Sequence, residues 1–199
     1  MEERFALVVD SPVGRLGIAA ETRGVTRVAW LDAPAREGRA RPGSARVEPA
    51  RDARARRHAD AAARALAAYF AREADAAARL AALPLVAVGS AFAQAVWCAL
   101  RAIAPGATHH YGGVARALGS PGAARAVGAA ARRNPIAIAI PCHRLVGADG
   151  SLTGFAGGLA AKRWLLEHEG ARPRAHSSVA ASSRSTNAPP THEPTGIAT

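Results

Sequence analysis

The chain has 199 residues, of which 49% are hydrophobic and only 5% aromatic, so its core must be assembled mostly from Ala, Leu, Val and Ile. Lys and Arg number 26 against 15 Asp and Glu, a formal net charge of +11 that suits a polyanion such as nucleic acid. A GC-rich genome writing Arg and Ala freely would give the same excess. The N-terminus "MEERFALVVD" has no secretory-signal core and no run approaches the ~18 apolar residues of a membrane span, so a soluble cytoplasmic protein is expected, with no membrane partner.

The opening residues read as a small antiparallel sheet. "RFALVVD", "GRLGIAA" and "GVTRVAW" are rich in β-branched or aromatic residues and are separated by the turn segments "SPVG" and "ETRG". Eight arginines between Arg36 and Arg57, with little to bury, predict a mobile basic loop over 36–57. The alanine-rich stretch from His58 to Arg79 predicts a helix, and "LPLVAVGS" a linker. Ser90 is placed to cap a helix whose apolar stripe is Phe92, Val96, Leu100 and Ile103. Cys98 lies off that stripe and reads as structural or incidental. A short helix through Val114 and Leu118 ends at Gly119, and Ser120-Pro121 offers a cap and first-turn proline for the next, "PGAARAVGAAARR". The pair is a helix-turn-helix candidate. The second helix is stripped to Gly and Ala at 122–124, 126 and 128–130, so it can approach a neighbouring helix or a narrow groove closely, with Arg125 as its one long inward reach.

"NPIAIAIP" alternates isoleucines at period two and predicts a strand that Pro141 ends. Asp149-Gly150 signals a hairpin. Lys162 to His168 form a closing helix stopped by Gly170, and the Ser-, Thr- and Pro-rich remainder predicts a disordered tail. The expected fold is α+β. An N-terminal sheet-plus-helix domain spans 1–84. A mainly helical domain with the helix-turn-helix and a short hairpin spans 85–170, and the tail spans 171–199.

Two cysteines make neither a disulfide framework nor a Cys-x-x-Cys metal knuckle. Cys142 follows the predicted strand end, where a rigid scaffold presents a side chain. A free thiol is only a few per cent ionised near neutral pH and needs a base or a positive charge. His143 is adjacent, but on extended backbone it points to the other face and reaches Cys142 more readily through a water. Glu169 sits in the last helical turn, where the dipole disfavours an acid. Either it orients the imidazole or it is simply solvated.

"FAQAVW", "HYGGVARALGSPGAARAVG", "NP", "PCHR" and "GGLAAKRWLLEHEG" follow one another from Phe92 to Gly170 in the order and spacing of a known family. The series resembles the O6-alkylguanine-DNA alkyltransferases, also called methylated-DNA–protein-cysteine methyltransferases. A weaker resemblance runs through "SPVGRLGIA" and "YF" in the N-terminal part. The resemblance implies direct-reversal repair of O6-alkylguanine in double-stranded DNA, with O4-alkylthymine as a candidate second substrate, by a monomer without cofactor or metal. It implies that Cys142 accepts the alkyl group irreversibly, once per molecule, through a network of His143 and water oriented by Glu169. Asn134 would hold the active-site turn, and Tyr111 would crowd the flanking phosphate and assist proton transfer to guanine. Arg125 would fill the gap left by the flipped nucleotide, on a DNA-binding surface shared with Tyr111, Ala124, Gly128 and Arg132. Phe155, Ala156, Leu145 and Lys162 would form the substrate pocket. Phe155 stands where many relatives have tyrosine, and Ala91 and Ala93 depart from the family's "PFQ" turn.

Three rival readings remain open from the residues. The first is a helix-turn-helix lesion sensor that never transfers a group, although such relatives carry tryptophan in place of the cysteine. The second is a cysteine hydrolase using Cys142 and His143. The third is a zinc site of His109, His110, Cys142 and His143, for which two pairs of adjacent residues make poor tetrahedral geometry.

Overall fold

The computed structural model describes residues 4–32, 46–48 and 52–171. The expected sheet is present. Strand β1 (Arg4–Phe5) is followed by β2 (Leu7–Val9), β3 (Leu16–Glu21) and β4 (Gly24–Trp30), and β2-β3-β4 form an antiparallel sheet. Its register opposes Leu7 to Ile18 and Leu16 to Trp30, which puts Leu16, Ile18, Val28 and Trp30 into the core. A bulge between Ala19 and Ala20 shifts the pairing so that Val25 is buried as well. Gly17 is required by close approach: a Cβ there would lie 2.6 Å from the Phe5 ring.

The basic loop expected over 36–57 is corrected at its end. Arg46–Val47 form β5, parallel to β1, and helix α1 (Ala53–Phe70) starts within the predicted loop. Asp52 sets that start, because its carboxylate accepts from the backbone N–H of Arg54 and Ala55 at 2.8 Å each. Residues 36–45 and 49–51 of the loop, and the tail from 172 to 199, lie outside the described residues. The helix read through to Arg79 also breaks. α1 ends and α2 (Ala76–Ala82) begins after a Schellman turn in which Glu73 N–H bonds Ala68 O and Arg72 N–H bonds Tyr69 O. Arg72 takes the left-handed position at φ 58, where glycine is usual, so no glycine announced the stop. Alanines 55, 59, 62 and 65 let α1 lie close on the sheet.

Pro84 and Val86 bond to the start of β4, so the expected linker is stitched to the sheet. Helix α3 (Ala91–Arg101) is capped by Ser90 as expected, with Val96, Leu100 and Ile103 buried. β6 (His109–His110) leads into helix α4 (Tyr111–Ala117). Gly119, at φ 69, closes α4 with a second Schellman turn. The next helix, α5 (Ala124–Arg132), starts later than the proline suggested. Ala123 N–H bonds Ser120 O, so Pro121 occupies the second position of a β-turn and not the first turn of the helix. Trp97 Nε1 donates to Ala130 O at 3.0 Å and locks α5 onto α3.

The strand predicted over "IAIAI" is not a strand. Ile136 makes one parallel bridge to Val28, and the chain then folds back, with Ala139 N–H on Ala137 O and Ile140 N–H on Ile136 O. Ile138 sits at φ 70, a γ-turn conformation that a β-branched residue adopts at a cost of about 1–3 kcal/mol. All five residues from Ile136 to Ile140 are buried, so the alternation reflects burial on every side and not one apolar face. β7 (Leu145–Val146) pairs parallel with β6, and the turn about Asp149-Gly150 is closed by Gly147 N–H on Ser151 O. Helix α6 (Gly158–His168) ends in a third Schellman turn about Gly170, φ 83. One hydrophobic cluster runs from Leu16 on β3 to Leu165 on α6. Among the described residues no helix is long and apolar enough to cross a membrane.

Candidate active site at Cys142

The folded-back segment delivers Cys142 to the start of a single 3₁₀ turn, Cys142–Arg144. Pro141, at φ −81 and ψ 63, is the centre of an inverse γ-turn closed by Cys142 N–H on Ile140 O at 2.8 Å. Asn134, just past the end of α5, holds this loop at three points. Its Oδ1 accepts from Ile136 N–H at 3.0 Å, and its Nδ2 donates to Ile140 O at 2.8 Å and to the Cys142 sulfur at 3.2 Å. The sulfur is thus tethered from the helix that presents Arg125. Cys142 keeps 8% of its surface open, whereas His143 beside it has none.

The helical turn also changes how His143 is aimed. The extended backbone assumed for 142–144 is replaced by a 3₁₀ turn, and the ring faces the core, where Nε2 lies 2.8 Å from Glu169 Oε1. Glu169 is the C-cap residue of α6, set in place by the turn at Gly170 and by Gly106, where a Cβ would meet the Glu169 carbonyl at 2.9 Å. Its carboxylate is almost wholly buried and gathers donors. Oε1 takes His143 Nε2, Arg144 Nη2 and Tyr69 OH, each at 2.8 Å, and Oε2 takes Arg144 Nε at 2.8 Å. Arg144 Nη1 also donates to Ile103 O.

Burial opposes ionisation of Glu169, but the hydrogen bonds from His143 and Arg144 overcome it and hold the carboxyl well below the usual range. Burial conversely pushes the His143 imidazole below its ordinary value, outweighing the bond to Glu169, so the ring is neutral near pH 7. An ionised carboxylate only accepts, so Nε2 carries the proton and Nδ1 is left with its lone pair. That Nδ1 is buried with no protein partner. The site therefore holds an oriented, unused base one residue from a thiol.

The remaining expected residues surround this centre. Tyr111, first residue of α4, shares a hydrogen bond with Thr153 Oγ1, and its ring lies against α5, where a Cβ at Gly128 would be 3.6 Å away. Burial pushes the Tyr111 phenol up, partly offset by the bond to Thr153. Arg125 and Arg132 are exposed on α5, and Ala124 and Gly128 are half-buried. Phe155 is buried, its ring packed edge-on to Trp30 with centroids at 5.1 Å and near His143 at 6.4 Å; Ala156 is exposed. Leu145 and Lys162 are fully buried behind that loop. The Lys162 ammonium donates to Leu145 O, Thr153 O and Thr153 Oγ1. Burial lowers Lys162 to about 8, which leaves it protonated near neutrality with three donors for three acceptors. Tyr69, Arg144, Thr153 and Trp30 were not singled out from sequence. Arg144 was visible beside the Cys-His pair, but Tyr69 and Trp30 carried only the signal of core aromatics. Among the described residues no group of three or more His, Cys, Asp or Glu is gathered to hold a metal. A groove of about 780 Å³ lies near Arg4, Thr22 and Arg27, away from the thiol.

Residues 91–171 match the family model described as "6-O-methylguanine DNA methyltransferase, DNA binding domain". A crystal structure of Mycobacterium tuberculosis O6-methylguanine methyltransferase is 39% identical with a TM-score of 0.64, covering 83% of this chain and 90% of that one. The chain belongs to the O6-methylguanine-DNA methyltransferase family. A second structure, of M. tuberculosis OGT in complex with DNA, aligns with the same TM-score of 0.64 and 39% identity, covering 83% of this chain and 91% of that one. The methylated-DNA–protein-cysteine methyltransferase of Salmonella typhimurium is 60% identical over 82 residues, 41% of this chain and 48% of that protein. The chain thus spans about half the length of such curated relatives. Every site residue expected from sequence falls inside the family segment 91–171, whereas Tyr69 and Trp30 lie outside it.

Proposed function

We propose that this protein repairs DNA by transferring the alkyl group from O6 of alkylated guanine in duplex DNA, and from O4 of alkylated thymine as a second substrate, to Cys142. The observation that carries the reading is the buried, unpartnered Nδ1 of a neutral His143, fixed by Glu169, next to a thiol tethered by Asn134. A water between Nδ1 and the sulfur relays the thiol proton to the imidazole. The resulting thiolate attacks the alkyl carbon in line: the S–C bond forms, the C–O6 bond breaks, and the electron pair passes to the guanine. A ring nitrogen of the guanine then takes a proton, for which the Tyr111 hydroxyl is the positioned donor. The imidazolium proton then returns through water to the Tyr111 oxygen, so the net change moves one alkyl group from guanine to sulfur and one proton from sulfur to guanine. No neighbouring group cleaves a thioether, so each molecule acts once.

The target oxygen is inaccessible in the stacked duplex, so the nucleotide leaves the helix at a cost of a few kcal/mol. Arg125, exposed on a helix whose other residues are Ala and Gly apart from the buried Val127 and the terminal Arg132, is the side chain that fills the gap. Ala124 and Gly128 allow close approach, and Arg132 meets phosphate. The M. tuberculosis family member forms a complex with DNA, which supports the same partner here. We assign the protein to the cytoplasm as a monomer, where thiols stay reduced.

Titration against excess duplex containing one O6-methylguanine tests this. Repaired guanine should plateau at one per protein molecule. Continued turnover would indicate a hydrolase, and binding with no repair would indicate a sensor; either result overturns the proposal.

A further inference from the structure

Among the described residues outside the family segment, Tyr69 sends a polar side chain to the Glu169 cluster. Tyr69 lies at the end of α1, is 6% exposed, and donates its hydroxyl to Glu169 Oε1 at 2.8 Å across 100 residues of sequence. That oxygen is the one to which His143 Nε2 donates. The contact is braced. His168, next to Glu169, donates Nε2–H to the Tyr69 carbonyl at 2.7 Å, its ring packs on the Tyr69 ring at 5.0 Å, and Arg72 Nε donates to its Nδ1 at 3.3 Å. The end of α1 therefore grips the end of α6 through both backbone and side chain.

We infer that Tyr69 is a positioning residue that sets the basicity of His143 by sharing Glu169 Oε1 with it. The inference rests on the reading of Cys142 and His143 as the transfer centre. A carboxylate oxygen shared among three donors accepts less strongly from each, because its lone pairs are already engaged. With Tyr69 in place, Oε1 orients the imidazole without pulling it towards imidazolium, and Nδ1 stays free to take a proton. Burial and the adjacent Glu169 charge push the Tyr69 phenol far up, so it remains a donor throughout the working range. The charged or titratable groups facing His143 are Glu169 and Lys162 from α6, and Arg144 and Cys142 from its own turn. Tyr69 acts on it only through Glu169. The N-terminal unit thus tunes a centre whose other parts all lie in the family segment.

The test uses the full chain with Tyr69→Phe, which keeps the ring and removes the donor. NMR titration of the histidine rings reads the His143 midpoint directly. The variant should titrate higher by about half a pH unit. The acid limb of the single-turnover rate with O6-methylguanine duplex should move by the same amount, so that at pH values below both midpoints transfer is about threefold slower. Leu66→Ala, which removes a fully buried side chain on the same helix without touching Glu169, should lower thermal stability but leave both midpoints unchanged. An unchanged His143 midpoint in Tyr69→Phe, or an equal shift in Leu66→Ala, overturns the inference. A shifted midpoint in a protein that transfers no alkyl group would instead sink the proposed function and leave the Tyr69 coupling standing.

Discussion

Four donor atoms converge on the Glu169 carboxylate, and their charges decide its role at the residue scale. A buried carboxylate paired with a buried guanidinium costs little while both are present and much when one is removed. Glu169→Ala strands the Arg144 cation, so it should destabilise the fold by about 3–5 kcal/mol in chemical denaturation. The pH sign follows from the direction of the shift. Because the folded carboxyl is held below its unfolded value, the stability from Glu169 is fully present above about pH 4.3 and is lost as pH falls through the folded value. The variant should therefore lack that acid-side loss; an unchanged acid limb of the stability curve would contradict the pairing. This residue was legible in part: an acid at a helix C-terminus asks for a partner, and His143 is there. Arg144 and Tyr69 as its other partners were not, since sequence distance says nothing about which core aromatic meets a helix end 100 residues away.

At the scale of elements, the informative failures share a cause. Period-two isoleucines suggested a strand, yet Ile136–Ile140 is a pair of tight turns buried on all sides, and Arg72 ends a helix where glycine would have marked the stop. Pattern and propensity describe local preference, and in both places tertiary contacts overrode it. In the first, Asn134 and the bridge to Val28 fix the loop; in the second, Arg72 bonds His168. Helices whose ends carried ordinary signals, Ser90 before α3 and Gly119 after α4, were read correctly from sequence. The glycines before α6 make a testable element. Gly157 lies flat on Trp30, where a Cβ would come within 2.6 Å of the indole, and that indole is anchored by Nε1 donating to Val13 O at 2.9 Å. Gly157→Ala should cost about 1–3 kcal/mol and slow transfer, because the loop bearing Phe155 must shift. Wild-type stability and rate in that variant would show that the indole does not set the loop.

For the whole molecule, the two units expected from sequence meet at the site and not away from it. Val28 bridges the loop before Cys142, Trp30 backs Phe155, and Tyr69 holds Glu169, so the sheet and α1 frame a centre built by the family segment. The motif order made the family and the α+β class readable, and the contact between His143 and Glu169 that it suggested is present in the fold. The contribution of the N-terminal unit was hidden, because its aromatic residues look like any core. Reactivity should follow this framing and not mere access: Cys98 is the exposed thiol and Cys142 the buried one. The most direct measurement is peptide mass mapping after the protein meets duplex DNA containing O6-methylguanine. The account predicts one methyl group on the peptide carrying Cys142 and none on that carrying Cys98. Methylation at Cys98 alone, or at neither, would contradict it.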